Sequence, residues 1–225
     1  GPPIFADPVP RAADLLAARL GGPGANLIGK TNTPEFGLGS HSYNPVHGVT
    51  RNPYDLARSA GGSSGGAAAA LAARMVCIAD GSDQMGSLRN PGGFCNVYGF
   101  RPTWGVVPGE AKGDLFLHQL STSGPMARCP ADLAALLDTL AGPDPRVPWG
   151  QAFHAGDLQA DLTGKRIGWL GDWGGAYAME PGILELSERT LAVFEGLGAV
   201  VEPVAAPFPA AAIWDSWLTL RGWSS

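Results

Sequence analysis

The feature that most narrows what this chain can fold into is an octet of very small residues, Ser59-Ala60-Gly61-Gly62-Ser63-Ser64-Gly65-Gly66. It runs without a break into Ala67-Ala68-Ala69-Ala70-Leu71-Ala72-Ala73. Alanine is the strongest helix former, but a short helix needs tertiary packing to persist. A helix that offers methyl groups and a single Leu packs only where neighbouring backbone comes very close. The segment therefore predicts a tightly enclosed helix with a Gly/Ser loop at its N-terminus, where free N–H groups collect. Met75-Val76-Cys77-Ile78-Ala79-Asp80 then reads as a buried strand. A second Gly/Ser loop follows, Gly81-Ser82-Asp83-Gln84-Met85-Gly86-Ser87, leading into Leu88-Arg89-Asn90-Pro91.

Elsewhere strand and helix signals alternate. Residues 1–9 read as extended chain. Ala12, Leu15, Leu16 and Leu20 repeat at helical spacing over 10–20, stopped by Gly21-Gly22. Residues 26–29 are a short strand candidate, and 38–58 form a long polar loop. An amphipathic helix is expected over 132–141, ended by Gly142-Pro143. The Pro-rich stretch 143–150 reads as a short linker. Beyond it come a strand at 165–170, a helix at 182–197 and a strand at 199–201. Trp214, Trp217 and Trp223 recur at spacings of one helix face. This alternation predicts an α/β fold, taken as one domain over 1–225.

Bulk properties exclude several classes. The 225 residues carry a formal net charge of −5, and only 16% are charged, so no basic stripe is present to meet nucleic acid. No apolar run approaches a membrane span, and the cytoplasm is the default location. Cys77, Cys95 and Cys129 are far apart and odd in number, which argues against a disulfide framework or structural zinc. The 33 Gly and 20 Pro are interleaved with apolar runs, and so indicate tight turns and close backbone approaches.

Two Gly/Ser loops suit nucleophilic chemistry. A serine hydroxyl attacks only when a base takes its proton, and the resulting oxyanion needs backbone N–H donors that glycines let approach. Ser63 and Ser87, one in each loop, are 24 residues apart. A flexible linker has similar composition, but a linker has no reason to abut a tight Ala helix and a buried strand. A phosphate cradle is the other contender. The P-loop pattern G-x-x-x-x-G-K-[ST] is missing, as is the G-x-S-x-G elbow. The histidines His41, His47, His118 and His154 form no metal-ligand pattern and read as structural.

One co-linear set of motifs is more specific. It comprises Lys30-Thr31-Asn32-Thr33-Pro34-Glu35-Phe36, Asn44-Pro45, Thr50 to Asp55, Arg58 to Gly66, Gly81 to Pro91, Gly99-Phe100-Arg101-Pro102-Thr103 and Gly124 to Arg128. In order and spacing it resembles the amidase signature family, most strongly over 24–132. The resemblance implies a mixed central sheet with helices on both faces, of which this chain carries an incomplete part. It implies a Ser–cis-Ser–Lys triad, with Ser87 as nucleophile and Ser63, after a cis peptide, as proton relay. The N–H groups of Gln84, Met85, Gly86 and Ser87 would form the oxyanion hole, and Ser64, Asp83 and Arg89 would hold the two loops. The family usually has a glycine where this chain has Met85; a Met supplies the same N–H unless the backbone there requires positive φ.

The implied activity is hydrolysis of a carboxylic amide to an acid plus ammonia or amine, with no metal or organic cofactor. The partners implied are a small-molecule amide and, as is common in the family, a second copy of the chain in a homodimer; neither nucleic acid nor membrane is expected. The triad lysine of the pattern falls in a segment upstream of Gly1, and Lys30, Lys112 and Lys165 are not its counterparts. Three rival readings follow: an amidase-like chain without activity, an amidotransferase subunit that passes ammonia to a partner-bound acyl group, and a non-catalytic anion-binding module.

Overall fold

A computed structural model describes residues 2–7, 9–156 and 158–224 of the chain. These divide into two compact units, Gly1–Leu158 and Gln159–Ser225. The α/β reading holds in both.

In the first unit, α1 spans Leu15–Gly21. It begins later than the apolar spacing suggested because Asp14 caps it, accepting from the Ala17 N–H at 2.8 Å. Residues 26–29 are not a strand: Leu27 and Ile28 are exposed and no strand pairs with them among the described residues. The long loop contains two small antiparallel pairs, β1 (Tyr43–Asn44) with β2 (Gly48–Val49), and β3 (Arg51–Asn52) with β4 (Asp55–Ser59). The Ala-rich helix α2 is Gly65–Ala72.

After α2 the chain turns at Arg74, whose φ is 59°. This turn delays the expected strand, so β5 is Ile78–Asp83. Then come α3 (Arg89–Phe94), β6 (Tyr98–Gly99), β7 (Thr122–Ala127) and α4 (Pro130–Leu140). The sheet order is β5-β7-β6, antiparallel throughout, with an unbroken register from Ile78↔Ala127 to Asp83↔Thr122.

Two hydrophobic clusters hold this unit. In one, Ala67, Ala68 and Leu71 of α2 meet Leu88, Cys95 and Met126. In the other, Leu136, Leu137 and Leu140 of α4 meet Leu20, Val106 and Val107. The close approach predicted for α2 is literal: a Cβ on Gly66 would stand 2.4 Å from the Asn32 nitrogen. Residues 143–150, read from sequence as a linker, lie inside the first unit. Arg19 donates to the Pro143 carbonyl at 2.7 Å, and Trp149 packs on Trp104 with ring centroids 5.8 Å apart.

In the second unit β8 (Arg166–Trp169) pairs in parallel with β9 (Val200–Pro203), and α5 (Ile183–Gly196) connects them. Helix α6 (Ala210–Ser224) follows, with Trp214 and Trp223 exposed. The strand pairing is thus mixed across the chain, antiparallel in one unit and parallel in the other. No helix of the described residues is long and apolar enough to cross a membrane.

Candidate active site

The two Gly/Ser loops converge because α2 and β5 pack together and place the start of one against the end of the other. Ser64 joins them: its N–H donates to the Ser87 carbonyl at 3.3 Å and its hydroxyl to the Ser82 carbonyl at 3.4 Å. From the other side, the Gly62 N–H donates to Asn90 Oδ1 at 3.0 Å. The Gly62–Ser63 peptide is cis. Behind it, buried Ser42 donates its hydroxyl to the Ser63 carbonyl at 3.0 Å and accepts from the Gly65 N–H at 2.9 Å. The Gly66 N–H donates to the Asn32 carbonyl at 3.2 Å. Ser63 is buried and Ser87 half-buried. Among the described residues neither hydroxyl meets a hydrogen-bond partner.

The second loop is organised around Asp83, whose side chain is 0% exposed. Its Oδ1 accepts from the Gly86 N–H at 2.7 Å, from Arg89 Nη2 at 3.0 Å and from Arg101 Nη1 at 3.0 Å. Its Oδ2 accepts from the Leu88 N–H at 3.1 Å and from Arg89 Nε at 3.0 Å. Burial by itself pushes this carboxyl up. The Arg89 hydrogen bonds, the N–H groups of Gly86 and Leu88 and the Arg89 charge reverse that, holding it well below the usual carboxylate range. The loop is therefore pinned by a carboxylate that is charged at neutral pH.

This pinning sorts the four expected oxyanion donors. The Gly86 N–H is turned back to Asp83. The N–H groups of Gln84, Met85 and Ser87 donate to no acceptor among the described residues. Positive φ falls on Gly86, at 108°, and not on Met85, so Met85 keeps an ordinary backbone while offering its N–H.

Sequence reasoning missed Ser42, Asn32, Asn90 and Arg101 as site residues, although the last three lie in the quoted motifs. Arg101 Nη1 also donates to the Asp83 carbonyl, and its Nη2 to the Leu120 carbonyl at 2.9 Å. His41 lies beside the first loop, with Nδ1 2.9 Å from Ser59 Oγ. The described residues contain no cluster of His, Cys, Asp or Glu able to hold a metal. Lys30, Lys112 and Lys165 are exposed, and none of them hydrogen-bonds Ser63 or Ser87.

Comparison with known proteins bears on the same residues. The family model described as Amidase matches residues 1–220. An acylamidase of Rhodococcus erythropolis is 36% identical over 217 residues, covering 94% of this chain and 45% of its own length. A glutamyl-tRNA(Gln) amidotransferase subunit of Thermus thermophilus is 40% identical over 205 residues, covering 88% and 42%. The solved structure of a bacterial aryl acylamidase of the amidase signature family superposes with a TM-score of 0.85 at 33% identity, over 92% of this chain and 43% of that one. The chain thus spans less than half the length of these relatives. Its sequence, its fold and the two loops together place it in the amidase signature family.

Proposed function

We propose that this chain carries the nucleophile half of an amide hydrolase that converts a carboxylic amide to an acid plus ammonia or amine through an acyl-Ser87 intermediate. The observation that carries the reading is the joining of the two loops by Ser64, with N–H groups at Gln84, Met85 and Ser87 that are unengaged among the described residues. The Ser87 hydroxyl attacks the amide carbon, and the carbonyl oxygen becomes an oxyanion held by those N–H groups. The proton of Ser87 passes through Ser63 to the general base, and returns through Ser63 to the departing nitrogen as the C–N bond breaks. Water then releases the acid by the reverse path. The general base is the triad lysine that the family pattern sets upstream of Gly1. Ser64, Asp83 and Arg89 hold the loops in register.

No metal or organic cofactor takes part in this scheme. The two units are read as parts of one amidase domain, a reading supported by a family match that runs through both. A cytoplasmic enzyme acting on a small-molecule amide follows, with dimerisation as the associated expectation. Several relatives are amidotransferase subunits, which favours a second reading in which ammonia from the amide passes to a partner protein.

The test is intact mass before and after treatment with a fluorophosphonate, which phosphonylates activated serines. One adduct that maps to Ser87 and disappears in Ser87→Ala is expected. A protein that takes no adduct would make the chain amidase-like in ancestry and inactive as it stands. Co-purifying subunits and glutamine-dependent ammonia release would favour the amidotransferase reading.

A further inference from the structure

Asp83 is one carboxylate in contact with two guanidinium groups. Arg89 grips it as a fork, Nε on Oδ2 and Nη2 on Oδ1, both at 3.0 Å. That geometry alone neutralises the carboxylate. Arg101 reaches the same Oδ1 with one nitrogen, and its other bonds go to the carbonyls of Asp83 and Leu120. Carbonyl oxygens satisfy its donors without cancelling its charge. The Arg101 side chain is 26% exposed against 57% for Arg89, so its charge is the less screened of the two. The Asp83 oxygen that it touches also accepts the Gly86 N–H at 2.7 Å. Arg101 is therefore one shared atom away from the loop that carries the free N–H groups of Met85 and Ser87.

We propose that Arg101 is a positioning residue of the Ser87 site whose surplus positive charge favours the anionic tetrahedral adduct over the neutral amide. This rests on the acyl-Ser87 reading above. Arg101 acts in two ways. Its bond to the Leu120 carbonyl ties the end of β5 to the residues entering β7, which fixes where the loop starts. Its charge adds a field that strengthens only when negative charge develops on the substrate oxygen. A clamp without that field would hold the loop and bind neutral and anionic ligands alike.

The experiment compares a boronic acid, which bonds to a serine oxygen as a tetrahedral anion, with the neutral amide benzamide. Both compete against fluorophosphonate labelling of Ser87 in the wild-type protein, Arg101→Met and Arg101→Lys. Outer partners of metal ligands are worth about 10- to 100-fold, and the same scale applies to a residue that acts on this site through the Asp83 carboxylate. Arg101→Met is expected to lose boronate affinity in that range while benzamide affinity is nearly unchanged, and Arg101→Lys to recover most of the loss. Where Arg101→Met does not fold, Arg101→Gln, which keeps a donor for the Leu120 carbonyl without the charge, takes its place. A folded neutral variant with wild-type boronate affinity overturns the proposal, as does equal weakening of benzamide, or a Lys variant no better than Met. A wild-type protein inert to both reagents overturns the acyl-Ser87 reading itself, and is distinguished by needing no variant to be seen.

Discussion

Replacing Asp83 by Asn should uncouple the loop that carries Ser87 from the sheet, and its cost can be worked from the bonds present. The carboxylate is fully buried and accepts five hydrogen bonds, two from backbone N–H groups and three from guanidinium groups. Asn keeps the shape and one acceptor oxygen, but its NH2 must face either the Gly86 N–H and both guanidinium groups or the Leu88 N–H and Arg89. Arg89, more than half exposed, can turn to solvent, so its share is about 1 kcal/mol or less. Arg101 is mostly enclosed, and the amide of fully buried Leu88 has no other acceptor among the described residues. Breaking a buried pair on one side costs about 3–5 kcal/mol, a large part of a total near 5–15 kcal/mol. Urea unfolding should show a midpoint lowered accordingly at unchanged slope. The folded fraction should label at Ser87 more slowly, because either the Gly86 or the Leu88 N–H loses its acceptor. Arg89→Met, which leaves Asp83 with Arg101 and the two backbone N–H groups, should lose less than Asp83→Asn. Asp83→Asn within about 1 kcal/mol of wild type, labelling at the wild-type rate, would refute the view that this anion organises the loop.

Two further outcomes follow from the same geometry. The Asp83 carboxyl is lowered in the folded protein from about 3.9 in an unfolded chain. The unfolded state therefore binds more protons in the window below about pH 4, and stability rises with pH there. The contribution is complete above that value and is lost as pH falls toward the folded pKa, so acid unfolding of Asp83→Asn should have a shallower slope in that window than wild type. Gly99→Ala would place a methyl 2.1 Å from the Leu88 carbonyl oxygen and 2.7 Å from its carbon. The backbone next to Ser87 must then shift, at a cost of about 1–3 kcal/mol. Thermal melting and the fluorophosphonate rate should both fall, and an unchanged rate would show that the loop tolerates the shift.

The parts legible in the sequence were those set by local chemistry. Alanine content announced α2 and apolar spacing announced α4, and a helix was expected where α5 lies, each within a few residues of its observed ends. Errors arose where a partner decides. Leu27 and Ile28 have strand-like side chains, but a strand needs another strand, and none pairs with them among the described residues. The delayed start of β5 reflects a left-handed Arg74, a conformation that composition does not flag in a non-glycine residue. Ser42 and Arg101 act through bonds to residues 21 and 18 positions away, and no short pattern encodes such bonds.

Position 85 shows what a motif leaves open and a backbone decides. The family pattern has glycine there, and a glycine can be required for its conformation or for the space beside it. The conformational requirement falls one residue later: Gly86 has φ 108° because its N–H must turn back to Asp83 Oδ1, while Met85 stays outside the left-handed region. One glycine therefore suffices for the turn. What Met85 changes is space, since the residue is 59% exposed two positions before Ser87. The Met85 N–H stays unturned with a Met at this position, so under the proposed acyl-Ser87 reading the substitution bears on which ligands can approach Ser87, not on whether the loop can form.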